Sequence, residues 1–132
     1  IDAIGMPHKA QFRSEADYYS VGLHELTHWT GHAKRCARQF GKQFGDTAYA
    51  REELVAEMGA AFLSAAFGIE GKLQHAEYIQ SWIRVLKEDK RAIITAASAA
   101  QKAADFIMQG AAPCIDEDAE DSDDSVTLAQ AA

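Results

Sequence analysis

The sequence predicts a mainly α-helical domain, α+β at most, and three observations predict it. Apolar residues recur with a 3.6-residue period in successive stretches. Those stretches open after capping residues and close at glycines. Residues 1 to 13 break that period, with Ile1, Ile4, Met6 and Phe12 scattered around Gly5 and Pro7, so they suit a short edge strand or an ordered lead-in.

Ser14 is the first N-cap, and Asp17 three residues on suits a capping box. A helix then runs through Tyr18, Val21, Gly22, Leu23, Glu25 and Trp29 and fades near Gly31, glycine being a common closing residue. Gly41 to Asp46 reads as a loop. From Asp46 or Thr47, a second helix sets Leu54, Met58, Ala61, Phe62 and Ala65 on one apolar stripe and stops at Gly68, with Ile69 placed for a hydrophobic closure. The third covers Leu73 to Glu88, with Tyr78, Ile79, Trp82, Ile83, Val85 and Leu86 in phase. Near Asp89 and Lys90 the chain bends or continues into an alanine-rich fourth helix carrying Ile93, Ile94, Ala97, Ala104, Ile107 and Met108, which Gly110 and Pro113 end.

With 132 residues the chain fits one domain with one core. We place the domain at 1–112, as a piece of a longer protein, and an acidic disordered tail at 113–132. The tail has low hydrophobicity and no aromatic residue, too little apolar surface to offset the entropy of ordering. It also carries seven of the 20 acids behind the net charge of −7, which leaves 13 acids against 13 bases in the body. A neutral body lacks the basic excess of a nucleic-acid-binding domain. The local cluster Lys34, Arg35, Arg38 and Lys42 reads as a solvated helix end. No apolar run reaches the ~20 residues of a membrane span, so the domain reads as soluble with no membrane partner. Cys36 and Cys114 lack CxxC spacing and read as free thiols of a reducing cytosol.

The chemistry lies in His24-Glu25-Leu26-Thr27-His28, an HExxH segment inside the first helix. Spacing of four puts both imidazoles on one face about a turn apart, where two nitrogens can meet one ion. Glu25 is offset from them and suits a carboxylate acting as general base on the metal's water. A catalytic zinc takes a third protein ligand and keeps one position open. The extended H-x-x-G-x-x-H pattern fails, because Lys34 stands where its histidine belongs. His32 lies about 6 Å farther along the helix axis and fits a hydrogen-bonded helix end better than a ligand. The second helix offers Glu52, Glu53 and Glu57, with Glu53 and Glu57 on one face among apolar residues. Carboxylates there are costly to bury unless a cation meets them. The reading is Glu53 as third ligand and Glu57 bonded to a ligand histidine, the reverse assignment staying open. Glu52 is read as an acid suited to a helix start. Tyr49, Tyr78 and His75 are candidate oxyanion donors that sequence does not rank. Zinc suits the donor set, and manganese or another divalent ion is compatible with it.

The stretch from Phe12 to His32, with Tyr18-Tyr19 and HELTHWTGH, then Arg51 to Glu57 and Tyr78 to Lys90, resembles the C-terminal zincin-like metallopeptidase domain of ArdC/TraC-type antirestriction and conjugation proteins of plasmids. The resemblance implies a zincin-like helical domain, the HExxH helix packed on a glutamate-bearing second helix. It further implies a bacterial cytoplasmic protein whose additional N-terminal domain binds single-stranded DNA. The leading function is a zinc-dependent metallopeptidase acting on a peptide or protein. A catalytically idle, metal-stabilised accessory module is the alternative, and a metal-free helical interaction domain is the third reading.

Overall fold

The computed structural model describes residues 2–40, 47–70 and 79–110. After a short 3-10 turn at Lys9–Gln11, four helices follow: α1 (Glu15–Thr30), α2 (Thr47–Phe67), α3 (Ile79–Glu88) and α4 (Ala92–Gln109). The fold is mainly α, as expected, and the lead-in forms no strand among the described residues. The expected loop at 41–46, the start of the third helix before Ile79, and the tail from 111 lie outside the described residues.

Local sequence accounts for the ends. Ser14 caps α1 by accepting from the Asp17 amide at 3.0 Å. At the end of α2, the Ile69 amide donates to the Ser64 carbonyl at 2.8 Å and the Gly68 amide to Ala65 at 3.4 Å, with Gly68 at φ +68°. That is a Schellman closure, which needs a residue tolerant of left-handed backbone. Gly110 closes α4 at φ +71°. Between α3 and α4 the chain breaks: the Asp89 carboxylate accepts from the Arg91 amide at 3.0 Å and pairs with Arg51 of α2 at 3.2 Å.

The second helix is the hub, packing against α1, α3 and α4. Leu54, Val55, Met58 and Phe62 meet Ala96, Ala99 and Ala100 of α4. Ala50, Leu54, Trp82, Val85, Leu86 and Ala92 form a second apolar cluster at the α3 end. The fourth helix buries alanines, Ala96, Ala100, Ala103 and Ala104, together with Phe106, while Ile93 and Ile94 stay exposed. On α2, Ala61 and Ala65 of the expected stripe are exposed, whereas Val55, Ala56, Ala60 and Leu63 are buried. In apolar-rich helices several faces satisfy the same period, so the period alone does not fix the buried one; on α4 close helix packing selects the small-residue face.

Cys36 corrects the free-thiol expectation, because it is disulfide-bonded. Sequence separation misled here. The turn after α1 carries Cys36 to the flank of α4, where it borders one cavity with Ser98, Ala99 and Lys102.

Candidate metal centre

The buried face of α1 is polar: Ser20, His24, Thr27 and Thr30. Thr27 and Thr30 bond back to the carbonyls of Leu23 and Thr27 at 2.8 and 2.6 Å, which satisfies their hydroxyls without a partner helix. Opposite Thr27 stands Gly59 of α2. A Cβ there would lie 2.5 Å from Thr27 Cγ2 and 2.7 Å from its Oγ1, so glycine is what lets the two helices approach this closely.

That approach brings α1 imidazoles onto α2 carboxylates. His24 Nε2 lies 3.4 Å from Glu53 Oε2, His28 Nε2 lies 3.2 Å from Glu53 Oε1, and the two Nε2 atoms are 3.1 Å apart. One donor atom each from His24, His28 and Glu53 falls within 4.8 Å of the others. On the far sides of the rings, His24 Nδ1 faces Glu57 at 3.5 Å and His28 Nδ1 faces Glu52 at 3.1 Å. A carboxylate at Nδ1 favours the Nδ1–H tautomer and leaves the Nε2 lone pair free. Two such lone pairs and a carboxylate aimed at one point repel unless something positive lies between them. The donor set therefore fits a divalent cation held by two imidazoles and one carboxylate.

The electrostatics agree. Burial pulls the His28 pKa down, but hydrogen bonds to Glu52 and then Glu53 outweigh it and raise it to about 9. His24 is raised too, its burial outweighed by the carboxylates of Glu53 and Glu57. Burial raises Glu53, yet the hydrogen bonds of His24 and His28 prevail and hold it at about 2. The centre attracts positive charge, whether protons or a metal.

The His28 side of the centre opens into a cleft of about 280 Å³ bounded by Asp2 to Gly5, Glu25, Trp29, His32, Arg35 and Phe40. Glu25, the expected general base, thus borders the same cleft as a donor imidazole. His32 is exposed, and its Nδ1 accepts from the Lys34 amide at 3.1 Å, the helix-end role expected of it. Tyr49 sits in the first turn of α2, and His75 and Tyr78 lie outside the described residues.

Sequence reasoning missed two participants. Glu52, read as an ordinary helix-start acid, is 5% exposed and takes two bonds from Arg38: Nε to Oε2 at 2.9 Å and Nη2 to Oε1 at 2.8 Å. The charge pattern predicts a solvated helix end for Arg38, yet its side chain is 10% exposed. Arg35 of the same cluster is equally sequestered. It stacks 3.7 Å over the Trp29 ring, donates to the Trp29 carbonyl and grips both Asp2 oxygens at 2.8 Å. Its binding to an acid 33 residues away leaves no local sequence signal. For Glu52 and Arg38 the one available signal was three acids crowded into a helix otherwise rich in apolar residues.

The chain is similar to several known proteins. The chain is 45% identical over 108 residues to DNA primase TraC of Escherichia coli, covering 81% of this chain and 10% of that protein. The solved Mn(II)-bound structure of antirestriction protein ArdC from plasmid R388 superposes with TM-score 0.70 at 47% identity, covering 79% of this chain and 39% of that one. The metal-free ArdC structure gives TM-score 0.71 at 48% identity, with 82% and 39% covered. The chain thus spans well under half the length of these relatives. Residues 1–99 match the family described as zincin-like metallopeptidase. This chain belongs to the zincin-like metallopeptidase family.

Proposed function

We propose that this domain is a zinc-dependent peptide hydrolase in which His24, His28 and Glu53 hold the ion and Glu25 is the general base. One observation carries the reading: Glu25 borders an open cleft together with His28, whose Nε2 belongs to the converging donor set. A bound divalent ion supplies Lewis-acid chemistry, polarising a carbonyl and acidifying a water. Glu25 takes the proton from the attacking water and delivers it to the leaving amine, so one carboxylate serves both halves of the reaction. Glu57 and Glu52, at the two Nδ1 atoms, keep the imidazoles oriented. Zinc suits these ligands, and manganese is compatible with them, as the Mn(II) in the ArdC structure illustrates for that protein.

The names of the relatives, a DNA primase and an antirestriction protein, extend the reading to a DNA-handling protein of the bacterial cytoplasm whose other segments contact single-stranded DNA. They also favour a second reading, in which the domain is a metal-stabilised accessory module without turnover. One experiment separates the two. Zinc-loaded wild type and Glu25→Gln are compared for zinc content and for cleavage of a peptide library. The peptidase reading expects equal zinc in both and a rate about 10²- to 10⁴-fold lower in the variant. Equal cleavage by both proteins sinks the assigned role of Glu25, and zinc-loaded wild type without turnover favours the accessory module.

A further inference from the structure

We propose that Arg38 is a positioning residue for the metal centre, acting through Glu52 to fix the orientation of the His28 ring. The proposal rests on His28 being a metal ligand, as read above. Arg38 lies on neither helix of the site, yet its side chain bonds to both of them. Nη1 donates to Thr30 Oγ1 at 2.8 Å, Nη2 to the Thr27 carbonyl at 2.7 Å, and the fork grips both oxygens of Glu52. It therefore ties the end of α1 to α2 at the level of His28. With both oxygens held, Glu52 presents Oε1 to His28 Nδ1 at 3.1 Å in one orientation. A planar guanidinium gripping a carboxylate at two points restricts its rotation as a single ammonium does not.

The backbone is shaped to deliver this side chain. Ala37 has φ +48°, a left-handed conformation that is strained for a residue other than glycine. It is held there by the Ala37 amide bonding to the His32 carbonyl at 3.1 Å, the Arg38 amide to Gly31 at 3.0 Å, and the Cys36 amide to Thr30 at 2.8 Å. Gly31 contributes by lacking a side chain. Its φ is −70°, so it is not needed for left-handed backbone, but a Cβ there would collide with the Phe40 ring and come within 3.0 Å of Arg38 Nη2.

Arg38 also completes the local charge. Glu52, Glu53 and Glu57 face the two imidazoles, and the Arg38 guanidinium is the cation that pairs with Glu52 at 2.8 Å. The first role is geometric and the second electrostatic, and substitution separates them. Lysine keeps the charge and loses the fork.

The test uses the full chain and measures zinc affinity by competition with a chromophoric chelator, with the cobalt(II) absorption spectrum as a readout of ligand geometry. Arg38→Met is expected to weaken zinc by about 10- to 100-fold, the range for losing an orienting partner of a ligand, and to alter the cobalt spectrum. The double variant Arg38→Met/Glu52→Gln restores a neutral acceptor for His28 Nδ1 without leaving a buried unpaired carboxylate. It is expected to regain most of the affinity, a coupling that a merely structural arginine would not produce. If Arg38→Met does not fold, Arg38→Lys carries the test and is expected to weaken zinc by about tenfold. Wild-type affinity and spectrum in the folded single variants overturn the proposal. A double variant no better than Arg38→Met overturns the route through Glu52. Wild type that binds no zinc overturns the ligand reading beneath it, an outcome distinguishable because every variant would then behave alike.

Discussion

Toward α1, the central helix buries Glu52 and Glu53 against imidazoles, threonine hydroxyls and a guanidinium; toward α4 it buries Val55 against alanines, with Leu54, Met58 and Phe62 packed alongside. Both interfaces are close-packed, and they do different work. Buried charge gives little net stability, because desolvation offsets most of the attraction between partners. Apolar burial contributes directly in proportion to area. The α3 and α4 side therefore holds the helix in place, and that permits the α1 side to keep a costly cluster of ionisable groups in one arrangement.

If this division is correct, damage on the apolar side should lower stability and leave the centre's composition alone. Trp82 is 8% exposed in the cluster with Ala50, Val85 and Ala92. Trp82→Ala is expected to cost about 3–5 kcal/mol in urea unfolding, with zinc per folded molecule unchanged. Loss of zinc from the remaining folded protein would show that the two sides are not separable.

The Thr27–Gly59 contact sharpens the comparison, because it lies on the polar side but works by shape alone. Gly59→Ala is expected to destabilise by about 1–3 kcal/mol through overpacking and also to weaken zinc, since pushing α1 from α2 separates His24 and His28 from Glu53. Adding Thr27→Ala removes both atoms that the new methyl meets most closely and should restore affinity. Unchanged zinc affinity in Gly59→Ala would mean that the helix spacing has slack.

The smallest effect expected is on pH dependence. In the metal-free protein His28 has its pKa raised from 6.5 to about 9, so its stabilising share is complete below 6.5 and is lost as pH rises through about 9. Glu53 is lowered from 4.5 to about 2, so its share is present above 4.5 and is lost as pH falls through about 2. Zinc and a proton compete for His28 Nε2. Zinc affinity should therefore keep rising above pH 6.5, by roughly tenfold per unit for each proton displaced, and flatten near pH 9. A plateau already at pH 6.5, in titrations of the folded protein, would remove the carboxylate influence on His28.

How much was legible follows from the same contrast. Helix starts and stops were readable because they depend on neighbours in the chain: Ser14 with Asp17, Gly68 with Ile69, Gly110 after Phe106. The imidazole-bearing face of α1 was readable because one helical turn brings His24 beside His28. Buried faces were harder to read. The inward face of α1 is polar, so an apolar period cannot find it, and α4 chose its alanines over Ile93 and Ile94 because helices that approach closely need small side chains. Gly31 was correctly placed as a stop for an incorrect reason, since its role is to make room for Phe40 and Arg38.

By itself, then, the sequence determined what lies within one turn of helix: the helical periods, the helix ends at Ser14, Gly68 and Gly110, and two imidazoles with a carboxylate beside them. Tertiary structure decided which carboxylate meets which ring. Glu53 reaches both Nε2 atoms while Glu57 and Glu52 take the outer nitrogens, because helix packing and the absence of a side chain at Gly59 set that register. It also turned Arg38 from a surface cation into the partner of Glu52. Local spacing specifies direction along a helix, and burial with long-range pairing depends on what the rest of the chain brings alongside.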